Sequence, residues 1–316
     1  MELTVKKKGF AVLFVGVLIL SSTIGVVNAY DSPIETWTKK DSARAHTGYE
    51  WINAYTASSV GYFGAPWNPV REAYEYNFRI TGVGETRDDD GNPEELCRIQ
   101  AVQIKETVNK GHQAIWTSTD KRYIGAWPHS GTNADYYDAA YAVASLAISA
   151  INSYAGFALS AISFVAALLS ACDDKQDGET VWREWDYSPD QTDVGHWFWW
   201  LHDVDPNQEV EFTVDDYLFG PGYEMVAVGW TFVCTTPGPP GKMSAAEMEK
   251  YGIEKIPLNE LKKRADELHI APETVEELLK HGEPLYYAHN LPVVAIPHQP
   301  EPPVFFPKIV EKLGEK

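Results

Sequence analysis

The chain has 316 residues, and its 45 Asp and Glu outnumber its 26 Lys and Arg, which gives a formal net charge of −19 at neutral pH. A charge of this size repels phosphate backbones and anionic lipid surfaces, so it excludes a nucleic-acid-binding protein and opposes spontaneous membrane attachment. Hydrophobic residues make up 44% of the chain and include 11 Trp, enough apolar material for a real core.

The N-terminal segment has the pattern of a secretory signal peptide. Lys6, Lys7 and Lys8 precede an apolar run that begins at Phe10, and Ala29 places a small residue at its exit. This pattern predicts a signal peptide at residues 1–29, whose removal leaves a mature chain with net charge −21. Because the apolar run approaches the length that spans a bilayer, an uncleaved N-terminal anchor is the alternative. Both interpretations predict a secreted or cell-surface protein.

The mature chain begins with apolar residues at helical spacing and continues with alternating ones. Ala45, Tyr49 and Ile52 predict a helix from Asp41 to Thr56. Alternation then predicts a strand at residues 74–86, with residues 96–108 as its hairpin partner. Further strands are predicted at residues 114–124, 180–187, 195–204, 209–214 and 223–235, the last with Val226, Val228, Trp230, Phe232 and Cys234 on one face.

Between these strands lies a stretch without charge, from Ala139 to Cys172. Residues 152–156 interrupt it with Asn, Ser and Gly, which predicts two antiparallel helices within residues 137–172. Each helix is about 24 Å long, shorter than the ~30 Å hydrocarbon core of a bilayer. We therefore predict a hairpin enclosed in a β domain. The alternatives are a hairpin released from the fold into a membrane and a permanently membrane-embedded hairpin.

The predicted fold class is α+β, with an antiparallel β-sandwich-like domain that contains the apolar α-helical hairpin. This domain covers residues 30–236 and ends at the Pro- and Gly-rich linker 237–243. A small helical module is predicted at residues 244–282, where Ser244 and Glu247 form a capping box and Pro272 suits the first turn of a helix. Residues 283–316 contain seven prolines, which predict an extended tail.

Residues Glu260 to Gly282 resemble a helix-turn-helix motif, with Leu261, Ala265 and Leu268 at matching places. The resemblance implies DNA binding, but the helix that would read the DNA carries three Glu against one Lys. Such a helix repels phosphates, so no nucleic-acid partner is predicted.

Oxygen ligands at alternating positions suggest two weak calcium sites, and no other cofactor is indicated. The first contains Asp88, Asp90 and Asn92, but Pro93 and Ile99 stand where an EF-hand needs Gly and Glu. The second contains Asp203 and Asp205. Solvated turns are the alternative for both. His196 and His202 lie on one predicted strand about 20 Å apart, too far to share a metal.

Three cysteines lie in the mature chain, at Cys97, Cys172 and Cys234, so outside the cell one disulfide and one leftover thiol are expected. The strand-like surroundings of Cys97 and Cys234 favour that pair over the other two pairings.

The densest aromatic cluster is the tentative binding surface. Alternation places Trp197 and Trp199 on one strand face and Phe198 and Trp200 on the other, and the cluster also includes Trp182 and Trp185. One face is expected in the core. The other suits core packing, a partner protein or a stacked sugar ring.

The usual short catalytic signatures are missing from the sequence. We therefore predict a secreted, non-catalytic envelope or extracellular protein that acts as a binding or structural module, with a protein or envelope component as its partner. The alternatives are a membrane-active, pore-forming-like protein that inserts the hairpin, and a secreted hydrolase that uses Asp or Glu, such as Glu184 and Asp186.

Overall fold

A computed structural model describes residues 33–46, 51–88, 90, 99–110, 113–117, 124–127, 147, 150, 173–177, 180–191, 193–220, 223–268, 270 and 272–300. Strands dominate this part of the chain, and the α-helices whose bounds are described lie near its C-terminal end. The strands are β1 Glu35–His46, β2 Trp51–Tyr62, β3 Ala65–Asn68, β4 Ala73–Asp88, β5 Ile99–Lys110, β6 Gln113–Thr117, β7 Ile124–Trp127, β8 Asp173–Asp177, β9 Thr180–Gln191, β10 Asp193–Val204, β11 Glu209–Gly220, β12 Tyr223–Thr235, β13 Ile253–Ile256, β14 Leu285–Ala288 and β15 Val293–His298. The helices are α1 Ala245–Lys250, α2 Leu258–Glu267 and α3 Pro272–His281.

The strands form two antiparallel sheets. In the first sheet β4 is central: β2 and β3 share one of its edges, and β10 takes the other. β1 lies outside β2, β6 and β7 lie outside β10, and β14 and β13 continue the sheet beyond β3. The second sheet has the order β15-β12-β11-β5-β9-β8. This arrangement supports the predicted β-sandwich-like fold.

Alternation along the strands builds the core between the sheets. On β4 the residues Tyr74, Tyr76, Phe78 and Ile80 are buried and belong to one cluster with Phe212 of β11 and Phe232 of β12. The ring of Phe78 lies 5.5 Å from that of Phe212 and 5.3 Å from that of Phe232, measured between centroids. The period-two pattern on β12 is confirmed, because Val226, Val228, Trp230, Phe232 and Cys234 are all buried in this cluster.

The helix predicted from Asp41 to Thr56 is wrong. Residues 41–46 belong to β1 and residues 51–56 to β2, and the two strands pair with each other from Glu35–Tyr62 to His46–Trp51. β2 also pairs along its other edge with β4, so its backbone is hydrogen-bonded on both sides. The two ladders outweigh the helical spacing of three apolar residues, since secondary-structure propensity is weak against tertiary pairing.

The predicted hairpin between residues 74–86 and 96–108 is also wrong. β4 pairs with β2, β3 and β10, whereas β5 lies in the second sheet between β11 and β9. β4 and β5, which follow each other among the described strands, therefore lie in different sheets. A connection between sheets and a hairpin turn both need a polar, solvated loop, so the composition did not distinguish them.

The predicted apolar hairpin lies outside the described residues, apart from Ala147 and Ala150, which are helical. Its insertion into the β domain stays a prediction. Among the helices that the structure describes, none is both long and apolar enough to cross a bilayer.

The C-terminal segment is joined to both sheets. The capping box at Ser244 and Glu247 is present at the start of α1, and α3 begins at Pro272. The predicted helical module also contains β13, which pairs with β14 in the first sheet. Within the predicted tail, β14 pairs with β3 and β15 pairs with β12, so residues 285–298 are structural parts of the sandwich. Buried residues at Leu285, Tyr287 and Val293 explain why these strands associate with the body.

Gly64 lies between β2 and β3 with φ = 103°, and a Cβ atom there would overlap with the phenol ring of Tyr287. We expect Gly64→Ala to lower the free energy of unfolding by about 2 kcal/mol or more, because the backbone conformation and the steric contact both oppose a side chain. Chemical denaturation measures this loss. Gly241→Ala is the matched control, since a Cβ at Gly241 meets nothing within 4 Å; equal losses in the two variants would contradict the explanation.

Candidate functional site

The predicted aromatic surface is largely interior where the structure describes it. Trp200 is 1% exposed and stacks on Phe78 and Phe198 in the core, with ring centroids 5.3 and 5.6 Å away. Trp197 is buried on the opposite face of β10, and Trp199 is half-buried there. Trp182 and Trp185 lie on β9, whose backbone is described without their side chains. The rings of β10 therefore serve packing more than ligand contact.

Arg79 of β4 covers the half-buried Trp199. Its guanidinium carbon lies 4.2 Å from the Trp199 ring centroid and 4.3 Å from that of Phe63. Arg79 itself is buried. A cation between two aromatic faces is stabilised by both rings, and the stabilisation grows as water is excluded.

On the same face of β4 as Arg79 lies a group of buried and half-buried polar side chains that we name the Glu75 cluster: Asn68, Arg71, Glu75, Asp203, Thr274 and Glu277. It occupies the outer face of the first sheet, because alternation along β4 turns Glu75 away from the core residues Tyr74 and Tyr76. The Asn68 amide donates to Oε1 of Glu75 at 2.7 Å and to Oε2 of Glu277 at 2.8 Å. The Thr274 hydroxyl donates to Oε2 of Glu75 at 2.9 Å. The cluster thus joins α3 to the sheet.

Arg71 supplies the positive charge of the Glu75 cluster. It forms an ion pair with Glu75, and its Nε lies 3.4 Å from Oδ2 of Asp203. Burial raises the pKa of the Glu75 carboxyl above its usual value, while Arg71, Asn68 and Thr274 oppose that rise. Asn68 also holds the turn that carries Arg71, because its Oδ1 accepts the backbone N–H groups of Val70 and Arg71 at 2.9 and 3.1 Å.

A second polar group, which we name the Asp216 cluster, joins the two sheets through Ser58, His196 and Asp216. Ser58 and His196 lie in one cross-strand row of the first sheet, on either side of Gly82. Asp216 reaches this row from β11 of the second sheet. The Ser58 hydroxyl donates to Asp216 Oδ2, and His196 Nε2 lies 2.9 Å from Asp216 Oδ1. A Cβ at Gly82 would overlap with both Asp216 and His196, so only glycine leaves room for this contact.

All three side chains of the Asp216 cluster are at most 2% exposed. Burial raises the pKa of Asp216, His196 opposes this rise, and the neighbouring Asp215 adds to it. The cluster brings together a hydroxyl, an imidazole and a carboxylate, but the carboxylate lies between the other two. A nucleophile needs the imidazole as its neighbour, so this order joins the sheets and does not activate Ser58.

His202 lies further along β10 on the same inner face. It is fully buried, and its ring stacks on Phe212 with centroids 3.9 Å apart. Burial lowers the pKa of His202 from 6.5 to about 3, so the fold holds the imidazole neutral.

In the described part of the chain, no three acidic, His or Cys side chains come together as metal ligands, and both calcium sites stay predictions. Asp203 is held by Arg71 in the Glu75 cluster, and the backbone oxygen of Asp205 accepts the Thr236 hydroxyl at 2.6 Å. Asp88 ends β4, Asp90 is exposed, and Asn92 lies outside the described residues.

The predicted disulfide is not tested by the structure. Cys97 lies outside the described residues, whereas Cys234 is buried in the core, so the pairing of the two stays a prediction.

Sequence reasoning missed Ser58, Glu75 and Asp216. Glu75 alternates with Tyr74 and Tyr76, as a solvent-facing residue of an ordinary amphipathic strand does. Only the packing of α3 on that face makes it an interior residue. Asp216 stands beside Asp215 in an acidic chain, where no local signal marks one carboxylate as buried.

Comparison with known proteins adds little to this geometry. No protein-family model matches the chain, and no curated protein matches it. Among solved structures, the chain is similar at low level to the major pilin subunit BcpA of Bacillus cereus, with 9% identity, a TM-score of 0.29, and coverage of 60% of this chain and 45% of the pilin. It is also similar to the collagen adhesin of S. aureus, with 10% identity, a TM-score of 0.22, and coverage of 55% and 60%. The chain therefore spans less than two thirds of either protein.

Asn68 is the side chain on which the Glu75 cluster depends most. We expect Asn68→Ala to lower the free energy of unfolding by about 2–4 kcal/mol, because it removes hydrogen bonds from two carboxylates and from the turn at Arg71. Urea denaturation measures the change. Asn259→Ala, at an exposed position on α2, is the control and should change stability by less than about 0.5 kcal/mol. A loss below about 1 kcal/mol for Asn68→Ala would show that the cluster does not hold α3 in place.

His202 predicts a pH dependence with a definite sign. Its folded pKa of about 3 lies below the value of 6.5 that an unfolded chain restores, so its contribution to stability is complete above pH 6.5 and is lost as the pH falls toward 3. The loss amounts to about 1.4 kcal/mol per pH unit in that window. His202→Phe keeps a ring against Phe212 and cannot titrate.

The test compares unfolding free energies of wild type and His202→Phe between pH 7.5 and pH 4.5. The raised pKa values of Glu75 and Asp216 act in the opposite direction, stabilising the fold as the pH falls, and they cancel in the difference between the two proteins. The free energy of unfolding of His202→Phe should rise relative to that of wild type as the pH drops below 6.5. A constant difference across this range would contradict the assignment of His202.

Proposed function

We propose that this chain is a secreted or cell-surface protein with a structural and binding role, and that it is not an enzyme. The observation that carries the proposal is the burial of three chemically capable side chains among the described residues. Glu75, Asp216 and His202 are at most 1% exposed, and the contacts of the first two are with neighbouring protein groups. A general acid, base or nucleophile must reach its substrate, and these groups lie between layers of secondary structure.

The same contacts support a structural role directly. The Glu75 cluster fastens α3 to the first sheet, and the Asp216 cluster fastens the first sheet to the second. β14 and β15 bring the C-terminal residues into both sheets. A module stabilised in this way suits an extracellular position, where a protein has to withstand proteases and changing pH without chaperones.

The N-terminal leader and the acidic charge support the proposed location. A mature chain with net charge −21 stays soluble and resists non-specific adsorption to anionic surfaces. A protein or envelope component is the proposed partner, and it would contact surfaces other than the buried clusters.

Expression of the full chain in a secreting host tests the proposal. We expect the protein to accumulate outside the cytoplasm with an intact mass that corresponds to cleavage after Ala29. Ala29→Leu is the control, because a large residue at this position blocks cleavage and should leave the longer, membrane-held form. Retention of the wild-type chain in the cytoplasm would contradict the proposed location.

Vesicle experiments with the secreted chain separate the structural role from the membrane-active alternative. A structural module leaves dye inside both zwitterionic and anionic vesicles at neutral and at acidic pH. Release of the dye, lost again when a Lys replaces Ala161 within the apolar stretch, would show that residues 139–172 enter the bilayer and would replace the structural role.

A further inference from the structure

The outer face of the second sheet carries a hydroxyl, an imidazole and a carboxylate that belong to neither of the two clusters named above. They are Thr231 of β12, His298 of β15 and Asp215 of β11. Alternation turns Asp215 outward, because Asp216 points to the first sheet. His298 Nε2 lies 2.8 Å from Oδ1 of Asp215, and its Nδ1 lies 3.1 Å from the hydroxyl oxygen of Thr231. The imidazole therefore lies between the other two groups, which is the order that the Asp216 cluster lacks.

The register of three strands brings these side chains together. Gly229 of β12 pairs with His298 on one side and with Asp215 on the other. A Cβ atom at Gly229 would overlap with both neighbouring side chains, so glycine is needed for His298 to reach Asp215 across the strand between them. Thr231 lies two residues along β12 on the same face. This is the diagonal position from which a side chain reaches a neighbour on the next strand.

The hydrogen-bond partners define the tautomer of His298. A carboxylate accepts hydrogen bonds, so Nε2 carries the proton that is donated to Asp215, and Nδ1 is left to accept the Thr231 hydroxyl. The Tyr217 hydroxyl donates to the other oxygen of Asp215 at 3.0 Å, and the Lys39 ammonium donates to the backbone carbonyl of His298. The imidazole is thus held in the state and orientation that remove a proton from a hydroxyl.

The hydroxyl and the imidazole are both partly open to solvent. The side chain of His298 is 27% exposed and Thr231 is half-buried, whereas the Asp215 carboxylate behind them is buried. The Asp216 cluster, in contrast, is enclosed between the sheets. A reagent can therefore approach Thr231 from the outer face while the hydrogen bond between His298 and Asp215 stays protected.

The neighbouring strand supplies an apolar surface beside the hydroxyl. Thr231 pairs directly with Ile296 of β15, and Val233 pairs with Val294, so these side chains share one face of the sheet. Ile296 is 51% exposed and Val294 is 54% exposed. In a chain of net charge −19, an exposed apolar pair beside the hydroxyl favours an uncharged, apolar reagent over an anionic one.

We propose that Thr231 is an acylation site, which accepts an apolar acyl group from an activated ester or thioester. The Thr231 oxygen attacks the carbonyl carbon of the donor as its proton passes to His298 Nδ1. An ester bond to Thr231 forms, the bond to the leaving alcohol or thiol breaks, and His298 returns the proton to that leaving group. Asp215 is a positioning residue, because it fixes the tautomer of the base. Formation of one ester per chain needs no turnover, so the inference goes beyond the proposed binding role without requiring an enzyme.

Incubation of the mature chain with p-nitrophenyl butyrate tests the proposal. We expect release of about one equivalent of p-nitrophenol per chain, with the butyryl group mapped to Thr231 by peptide mass spectrometry. Thr231→Val keeps the shape of the side chain, removes the hydroxyl and should abolish this label. Thr213→Val is the matched control and should react like wild type, because Thr213 is the half-buried residue opposite Thr231 on β11. A wild type without acyl group on Thr231, or a Thr231→Val variant that releases p-nitrophenol as fast as wild type, would overturn the proposal.

Two variants test the roles of the base and its partner. His298→Ala should slow acylation of Thr231 roughly 100-fold or more, and added imidazole should restore part of the rate, which a purely structural defect would not allow. Asp215→Asn should also slow the reaction, because an amide that donates to Nε2 moves the ring proton to Nδ1. The ¹⁵N NMR shifts of the His298 ring report this change of tautomer. An unchanged rate in His298→Ala would overturn the base, and an unchanged tautomer in Asp215→Asn would overturn the positioning role.

The acyl specificity has its own test. Replacement of Val294 and Ile296 by Ser should lower the ratio of butyrate to acetate ester rates by up to about tenfold, because the two additional methylene groups lose their apolar contact. An unchanged ratio would overturn the apolar part of the proposal. Steady release of many equivalents by wild type and none by Thr231→Val would support the reactive hydroxyl and contradict the non-enzymatic role. The two proposals therefore fail separately.

Discussion

The structure depends on the burial of β4 on both of its faces. Every residue from Ala73 to Thr86 is buried, although the strand carries Glu75, Arg79 and Glu85. One face packs aromatic rings against the second sheet, and the other buries charged and polar groups. A charge removed from water costs several kcal/mol unless it is paired and hydrogen-bonded. This cost explains why Arg71, Asn68 and Thr274 surround Glu75 and why two rings enclose Arg79.

The same constraint organises the C-terminal part of the chain. Thr274 and Glu277 on α3 are the partners that reach the Glu75 cluster from outside the sheet. Without this helix the cluster would face water, and its hydrogen bonds would gain little. α3 is in turn held by its apolar face, where Leu278 packs with Leu261 of α2 and Leu285 of β14. The resemblance to a helix-turn-helix is therefore one of helix packing, and Thr274 and Glu277 of α3 contact the protein itself.

The polar groups between the layers have opposite responses to pH. Burial raises the pKa values of Glu75 and Asp216, so their contributions favour the fold as the pH falls. The lowered pKa of His202 opposes this trend below pH 6.5. Because these groups are engaged inside the fold, any recognition of partners falls to the exposed surfaces.

The sequence determined the elements whose signals are local. The alternation of Val226 to Cys234 placed β12 and its buried face, Ser244 with Glu247 placed the start of α1, and Pro272 placed that of α3. The acidic charge and the predicted N-terminal signal peptide determined the expected location. The tertiary structure alone decided how the strands pair and which sheet β5 joins. It also decided that residues 41–46 and 51–56, predicted as helix, lie in β1 and β2. It also decided which of many carboxylates are buried, because Glu75 and Asp216 differ from the exposed carboxylates of the chain only in what other parts of the chain place against them. Burial of a side chain on a strand is set by the layers above and below it, and those layers come from distant segments whose arrangement no local pattern records.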